Sequence, residues 1–432
     1  KMKAEKQKAE KEAFFCTTKE LSRLGLEQIP TQFQSHKHLI YSSPATLAFN
    51  SPGAEGFGVK RAGLAVPDSI MLIVAPGCCG RNTSLISSMK EYNDRFYYLM
   101  MDETDIVTGR HLKKIPKAVE EICSVCPKKP SVVMICITCV DALLGTDMER
   151  VCKKAEEQVE IPVRPCYMYA LTREGRKPPM VHVRQSLYSL LEPGKKKGNV
   201  VNLLGFFSPL VDDCDLLHSA GVKTIHEISR CKDYMEYQTM SEANFNLVLH
   251  HEARFAAEDF HNRLQIPFIE LRRLYQIDKI ENQYHALGNA LGVAFYDEKY
   301  KKQAEDALEK FRQRCPDASF AIGECLNADP FELSLALIRY GFSVPEIYGT
   351  ITVENFTYIR SLAKISPETK VFSNMEPTMI YYDPAKSDVN LAIGKDACYY
   401  HSDCPYVMWN GEEQPYGYAG VRRLFEQLLE VV

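Results

Sequence analysis

The chain of 432 residues is 45% hydrophobic and 25% charged, and its formal net charge is −4. This composition is typical of a folded globular protein and argues against extensive disorder. The lack of a Lys and Arg excess argues against electrostatic binding to nucleic acid. At roughly 100–200 residues per domain, the length predicts two to four domains.

The 15 cysteines are an unusually large and odd set. A chain of this length does not resemble a small secreted domain stapled by disulfides. We therefore expect a reducing, cytoplasmic environment in which some of the thiols serve as metal ligands.

Residues 1–50 are predicted to form an N-terminal helical arm, with a frayed tail as the alternative for the first 15 residues. The charged start, KMKAEKQKAEKEAFF, lacks the apolar stretch of a signal peptide. The longest apolar runs, at 69–76 and 131–144, are shorter than the roughly 20 residues that cross a bilayer. These patterns predict a soluble protein without a membrane partner.

Short apolar runs rich in Val, Ile and Leu recur from residue 51 onward, each followed by a helical pattern. This alternation predicts parallel strands that are buried on both faces, in βα units. In a first domain at 51–195, strands are predicted at 70–75, 97–101, 132–137 and 163–167, with helices at 112–123 and 141–158.

A basic, glycine-containing segment at 193–199 (PGKKKGN) predicts a domain boundary. A second domain at 196–300 has predicted strands at 200–204, 246–249 and 268–271 and a helix at 278–291. A third domain at 301–432 has a predicted helix at 298–313 leading into it, strands at 319–322, 343–348, 370–372 and 389–393, and a closing helix at 418–429. The predicted fold class is therefore α/β, with three Rossmann-like domains in which helices flank parallel sheets. The sequence contains neither GxGxxG at a strand–helix turn nor GxxxxGK[ST], so a dinucleotide or ATP site is unsupported.

Cysteines follow two of the strands predicted in the first domain. Cys78 and Cys79 come after the first strand, whereas Cys136 and Cys139 lie at the end of the third strand and just beyond it. Ligands of open α/β sheets bind at the carboxyl ends of strands, so these segments are expected to meet at one edge. Converging thiolates in a dry site suit an iron–sulfur cluster, for which Cys79 and Cys139 are the predicted ligands.

Two other interpretations of the cysteines remain open. A zinc site would combine two CxxC pairs, Cys123 with Cys126 and Cys136 with Cys139, although most of the nine intervening residues form a predicted buried strand. Alternatively, the thiols are simply part of the core, because free cysteine behaves as a small hydrophobic residue.

At these loops the chain resembles the nitrogenase component 1 family, over residues 51–432. Residues 76–79 (PGCC) are similar to the family's Gly-Pro-x-Gly-Cys cluster loop, and residues 101–109 (MDETDIVTG) to its acidic segment before a helix. Residues 139–147 (CVDALLGTD) resemble C-P-x-x-L-I-G-D-D, and residues 417–422 (GYAGVR) resemble its closing helix entry.

The resemblance implies an iron–sulfur cluster, 4Fe–4S or larger, that is shared between two subunits. Cys79 and Cys139 match the family's ligand positions, with Cys78 and Cys136 as candidate further ligands and Cys16 as the only cysteine upstream of them. The resemblance also implies a homodimer, or a heterodimer with a homologous subunit. A separate, ATP-hydrolysing iron protein would be the electron donor.

The family's iron–molybdenum cofactor is not expected here. His250 stands near the position of the cysteine that holds that cofactor, and residues 408–410, near the position of its histidine ligand, contain no histidine. His250, His251 and Arg254 follow a predicted strand and are the candidate catalytic residues, because neutral imidazole can donate a proton or bind a metal. Two surface histidines that cap a strand are the alternative.

These features predict the catalytic component of a nitrogenase-like two-component reductase. This oxidoreductase would pass electrons through its cluster to an unsaturated substrate in an interdomain cleft. A scaffold or carrier for metallocluster assembly, without catalysis of its own, is the first alternative. A metal-free binding protein with the same fold is the second.

Overall fold

The structure is a computed structural model of the chain that describes residues 11–34, 58, 61–80, 92, 94–167, 177–208, 210–211 and 214–432. The chain divides into two compact units. The central unit comprises Pro52–Pro209 and Gly221–Arg272, and the C-terminal unit comprises Lys1–Ser51, Leu210–Ala220 and Arg273–Val432. The domain boundaries predicted near residues 195 and 300 stay predictions.

The described strands are short and lie mostly where apolar runs predict them. In chain order they are β1 (Phe15–Thr17), β2 (Ile70–Ala75), β3 (Phe96–Met100), β4 (Val133–Ile137), β5 (Val163–Tyr167), β6 (Val200–Leu204), β7 (Leu210–Val211), β8 (Thr224–His226), β9 (Phe245–Val248), β10 (Phe268–Glu270), β11 (Ser319–Ile322), β12 (Ser343–Tyr348), β13 (Lys370–Phe372), β14 (Leu391–Ile393), β15 (Tyr406–Val407) and β16 (Gln414–Pro415).

The described helices alternate with these strands. They are α1 (Thr18–Leu24), α2 (Gly77–Gly80), α3 (Glu103–Thr108), α4 (His111–Val125), α5 (Cys139–Leu144), α6 (Met148–Val159), α7 (Pro179–Tyr188), α8 (Cys214–Ser219), α9 (Tyr234–Gln238), α10 (Arg254–Leu264), α11 (Ile277–Leu291), α12 (Glu298–Arg314), α13 (Pro330–Arg339), α14 (Phe356–Ile365), α15 (Lys395–Tyr400) and α16 (Gly417–Val431). Within the described residues, none is both long and apolar enough to cross a bilayer.

The central unit contains two parallel sheets. The first sheet has the strand order β3-β2-β4-β5, and the second sheet has the order β10-β9-β6-β8. Consecutive strands of one sheet are joined through helices, as parallel pairing requires. The predicted α/β class with helices flanking parallel sheets is confirmed.

The C-terminal unit contains the third sheet, in the order β1-β13-β12-β11-β14-β15. Its strands are parallel except β1, which pairs antiparallel with β13 along one edge. A separate two-stranded parallel ladder joins β7 to β16.

Two sequence predictions need correction. The predicted N-terminal arm contributes the strand β1 before its helix α1, while residues 1–10 and 35–50 lie outside the described residues. The single helix predicted at 141–158 is two helices, α5 and α6. Gly145 separates them with a φ of +64°, a left-handed conformation that ends a helix and that glycine adopts without steric cost.

Alternating residues of β2 and β4 enter two different cores. Ile70, Leu72 and Val74 pack with α4 and α6 on one face of the first sheet. Met71 and Ile73 face the opposite core, which also contains residues of α7, α10 and the second sheet. Because successive side chains of a strand point to opposite faces, a nearly continuous apolar run supplies both cores.

A buried carboxyl group links α13 to the segment that precedes α11. Glu332 has no exposed surface. It accepts the backbone N–H of Tyr275 at 2.9 Å and the side-chain amide of Gln276 at 3.0 Å. Burial is the main cause that raises the pKa of Glu332 to about 7, because a low-dielectric environment disfavours the charged form.

The raised pKa of Glu332 predicts that the stability of the C-terminal unit falls as pH rises from about 4.5 to about 7. In that window the unfolded chain loses the proton that the folded chain keeps, so the folded state is progressively disfavoured, by roughly 3 kcal/mol in total. Glu332→Gln keeps the shape and removes the titration. Urea unfolding below and above the window should therefore show a smaller pH dependence for this variant than for wild type. An unchanged pH dependence would contradict the assignment.

Candidate functional site

Cys79 and Cys139 lie at the same edge of the first sheet. Cys79 is in α2, which follows β2, and Cys139 is the first residue of α5, which follows β4. The two strands are adjacent and parallel, with Val74 opposite Ile137, so both thiols follow neighbouring strand ends. Both cysteines are half-buried. One chain thus brings two thiols to one edge, which is half the number in the usual four-thiolate ligand set of a cubane cluster.

The additional candidate ligands have different surroundings. Cys136 lies inside β4 and is fully buried in the core that contains Cys166, so it packs on the face of the sheet. Cys78 is in α2, but its side chain lies outside the described residues. Cys16 is in β1 of the C-terminal unit, and burial raises its pKa to about 11. A raised pKa disfavours the thiolate form that binds metals.

Of the two CxxC pairs considered for zinc, one precedes β4, whereas the other has Cys136 inside the strand and Cys139 just after it. Cys126 caps α4 before the strand and lies 3.1 Å from the Tyr97 hydroxyl, whereas Cys139 follows the strand. Across the part of the chain that the structure describes, no group of three or more His, Cys, Asp or Glu residues is arranged to hold a metal ion. The geometry therefore does not favour the four-cysteine zinc site.

A buried His–Asp pair connects α5, the helix that begins with Cys139, to the start of α4. His111 Nε2 is 2.8 Å from Asp141 Oδ1, and both side chains are 1% exposed. The Thr146 hydroxyl donates to the same oxygen at 3.0 Å, and His111 Nδ1 lies 3.1 Å from the carbonyl oxygen of Asp105. The pair therefore ties α5 to α3 and α4. Sequence reasoning missed it because no local pattern relates residues of two different helices.

Apolar side chains are exposed around this edge. The apolar patch comprises Met100 (63% exposed), Val107 (85%), Leu143 (71%) and Leu144 (47%). Met100 Sδ lies 3.9 Å from the position that a Cβ atom on Gly77 would occupy, and His111 contacts both α3, which carries Val107, and α5, which carries Leu143 and Leu144. Exposed apolar side chains at such an edge are candidates for contact with another protein.

His250 and His251 lie just beyond the carboxyl end of β9 in the second sheet. Their rings stack with centroids 4.5 Å apart, and His250 is half-buried while His251 is exposed. The backbone N–H of Glu252 donates to His250 Nδ1 at 3.3 Å. His250 Nδ1 also lies 3.5 Å from Glu252 Oε2, so both the backbone and the side chain of Glu252 contact this ring nitrogen.

A buried arginine anchors this edge of the second sheet. Arg184 in α7 donates to the Glu252 carboxylate at 2.9 Å and to the carbonyl oxygen of Gly205 at 2.6 and 3.1 Å. Its side chain is 5% exposed, and its guanidinium lies over the ring of Phe207. A Cβ atom on Gly205 would lie 2.9 Å from the backbone nitrogen of His250, so only glycine permits this close approach. Arg184 has no motif that would identify it from sequence.

Arg254, the third candidate catalytic residue, is engaged by a carboxylate. Its guanidinium donates to both oxygens of Glu270, at 2.8 and 3.0 Å. Glu270 ends β10, the strand next to β9. The positive charge of Arg254 is therefore balanced by the Glu270 carboxylate at the same edge of the sheet.

Two acidic residues that sequence reasoning missed lie at the carboxyl edge of the third sheet. Asp396, after β14, is fully buried and accepts the backbone N–H groups of Glu324 at 2.8 Å and Cys325 at 2.9 Å. Glu324, after β11, accepts the N–H of Thr350 at 2.7 Å. Burial, together with the nearby Asp396, raises the pKa of Glu324. In the sequence, only their position after predicted strands indicated that these two residues could lie at the edge of the sheet.

Known proteins resemble this chain over most of its length. Residues 55–432 match the family described as Nitrogenase component 1 type Oxidoreductase. The chain is 26% identical to the nitrogenase iron-molybdenum cofactor biosynthesis protein NifE of Sinorhizobium fredii (strain NBRC 101917 / NGR234), over 90% of this chain and 82% of that protein. It is 25% identical to NifE of Nostoc sp. (strain PCC 7120 / SAG 25.82 / UTEX 2576), over 62% of this chain and 58% of that protein.

The fold also resembles that of a solved structure. The structure described as "Nitrogenase Cp1 at pH 6.5" superimposes with a TM-score of 0.71 at 18% identity, over 94% of this chain and 96% of that one. This similarity of fold agrees with the match to the family. The chain therefore belongs to the nitrogenase component 1 type oxidoreductase family.

Proposed function

We propose that this chain is the cluster-holding subunit of a nitrogenase-like two-component reductase. The observation that carries the proposal is the position of Cys79 and Cys139, which follow adjacent parallel strands at one half-buried edge. Soft thiolates on short backbone segments between packed elements suit an iron–sulfur cluster. When bound, the cluster would accept and release single electrons.

The remaining ligands come from a second subunit in this proposal. Two thiols per chain make a four-thiolate set only when two chains are combined, and a two-fold axis would place equivalent edges face to face. The partner is a second copy of this chain or a homologous subunit. The half-buried state of Cys79 and Cys139 supports an edge that is completed by another chain.

The electron donor in this proposal is an ATP-hydrolysing iron protein that docks on the apolar patch. The patch lies at the edge that carries the two cysteines, so docking there would bring the donor close to the cluster and exclude water from the path. The sequence lacks a phosphate-binding loop of its own, so the hydrolysis is assigned to the partner.

Charged substitutions in the patch are expected to weaken this docking. Val107→Asp combined with Leu143→Asp should reduce affinity for a nitrogenase-type iron protein by about tenfold or more, because each change places a charge in an apolar contact. Stability should change by less than about 0.5 kcal/mol, since both side chains are exposed. Biolayer interferometry measures the affinity. Val353→Asp, at a similarly exposed position of the C-terminal unit, is the matched control, and equal binding by both variants would contradict the docking site.

Protons for the reduction would come from the edge of the second sheet. His250 is held by Glu252 through its Nδ1 atom, and the neighbouring His251 is exposed to solvent. Such a pair can pass protons from solvent to a bound substrate. Arg254 would help to position the residues of this edge, and its positive charge is balanced by the Glu270 carboxylate to which it donates.

Anaerobic purification followed by iron analysis and electron paramagnetic resonance tests the proposal. The expected result is brown protein that contains iron and gives a cluster signal after reduction with dithionite. The signal should also appear when a nitrogenase-type iron protein that has been reduced beforehand, together with ATP, replaces dithionite, because each iron protein can then pass one electron to the cluster and become oxidised. Protein that remains free of iron after reconstitution with iron and sulfide would contradict it.

A second candidate function, a scaffold on which metalloclusters are assembled, is favoured by the relatives. The Sinorhizobium fredii protein matched over 90% of this chain is named as a cofactor biosynthesis protein. The two functions differ in what leaves the protein. Loss of the cluster to an acceptor protein without substrate turnover would favour the scaffold, whereas repeated turnover with retained iron would favour the reductase.

A further inference from the structure

A cavity of about 420 Å³ opens at the carboxyl edge of β4 and β5, inside the central unit. Its volume lies in the range of small-molecule sites, and carboxyl ends of parallel strands are where such sites form. The lining residues used below are Ile137, Asp141, Tyr167, Lys177, His182 and Gln185. Neither the cluster-holding role nor the candidate histidines account for this cavity.

One of the lining residues, Asp141, has an unsatisfied acceptor. Asp141 Oδ1 accepts from Thr146 and lies 2.8 Å from His111 Nε2. Asp141 Oδ2 is also buried, but among the described residues it has no hydrogen-bond partner. An unpaired buried acceptor costs free energy that a donor can recover. A ligand with an ammonium group would supply that donor.

Another part of the lining carries a positive charge. Lys177 Nζ donates to Gln185 Oε1 at 2.8 Å and lies 4.6 Å from the centre of the Phe255 ring, and its ammonium group has further N–H donors with which to bind a ligand. Burial, and then the charge of Lys177, lower the pKa of the nearby His182 to about 4. His182 is therefore neutral near pH 7, and Lys177 is the lining group that carries the positive charge. A carboxylate is the group that suits Lys177.

Apolar surface accompanies these two polar groups. Ile137 and the ring of Tyr167, the last residues of β4 and β5, line the same cavity. They can cover a short hydrocarbon chain. An acceptor, a cation and an apolar wall within one small cavity correspond to the three parts of an amino-carboxylate.

We propose that this cavity binds a small zwitterionic amino-carboxylate, with its ammonium group on Asp141, its carboxylate on Lys177 and its side chain against Ile137 and Tyr167. The ligand class goes beyond the proposed function and does not require the cluster. Binding is therefore testable on full-length protein whether or not iron is present.

Isothermal titration calorimetry with three matched probes tests the proposal. L-Norleucine carries both charged groups, pentylamine is the same molecule without the carboxylate, and hexanoate is the same molecule without the amine. Norleucine should bind saturably. Each single-charge analogue should have an affinity at least about tenfold lower, because it loses one ionic contact. A thermal-shift screen of the twenty protein amino acids then ranks the side chains.

Two variants assign the contacts. Asp141→Asn should weaken norleucine by about tenfold and leave hexanoate unchanged, whereas Lys177→Gln should weaken norleucine similarly and leave pentylamine unchanged. Lys177 is exposed, so its variant is expected to fold even if the Asp141 variant does not. Lys153→Gln, an exposed position on α6, is the control. The proposal is overturned if norleucine and all twenty amino acids fail to bind, if either analogue binds as tightly as norleucine, or if Lys177→Gln binds like the control.

Discussion

Replacing both Cys79 and Cys139 with alanine is expected to abolish iron binding by the anaerobically purified protein. Both thiols follow adjacent strand ends, and in the proposed cluster site each is one of the two ligands from this chain. A cluster shared by two subunits would lose all four thiolates in a homodimer of the double variant. Iron analysis and electron paramagnetic resonance should therefore both fall to background.

The single variants sharpen this test. Each should lose most of the bound iron, because two missing ligands in a symmetric dimer already leave the set incomplete. Cys315→Ala is the matched control, since Cys315 is also a half-buried free thiol but lies in the C-terminal unit. It should keep full iron content. Iron retained by the double variant would exclude both proposed ligands and would direct attention to the remaining cysteines.

Replacing Arg184 with methionine is expected to produce the largest loss of stability of the substitutions considered. The change removes the partner of the Glu252 carboxylate and the two donors to the Gly205 carbonyl oxygen, in a region where the arginine side chain is 5% exposed. Leaving such groups unpaired costs about 3 kcal/mol. The denaturation midpoint in urea should fall accordingly.

Arg254→Met is the matched control for this substitution. Arg254 also bonds to a glutamate, but its side chain is 44% exposed, so water can replace the lost contact and the expected cost is about 1 kcal/mol or less. Equal destabilisation by the two variants would contradict the burial argument. Arg184→Met should also disturb His250, because Glu252 connects the arginine to the Nδ1 atom of that histidine.

Much of the architecture was predictable from local patterns. The nearly continuous apolar runs at β2, β6 and β11 predict those strands with their observed bounds, because strands buried on both faces have no polar side to obscure them. The predicted bounds of β5 and β12 also match, although both strands have partly exposed residues. The cysteine loops were predictable for a related reason. Both directly follow such strands, so their position at the edge follows from the parallel order of the sheet.

Short or exposed elements were not predictable in the same way. β1 has three half-buried residues and acquires its role only by pairing with β13, which is far away in sequence. The division between α5 and α6 depends on one glycine within an otherwise helical pattern. In each case the local signal is weak, and tertiary contacts decide the conformation.

The sequence by itself determined the α/β class, the parallel strands and the two cysteine loops, because hydrophobic periodicity and residue type are local properties. Only the tertiary structure decided which side chains meet. It joined His111 to Asp141, placed Arg184 between Glu252 and Gly205, and enclosed the cavity beside Lys177. These contacts connect residues from different helices and strands, and their existence depends on how buried polar groups find partners once the sheets have packed.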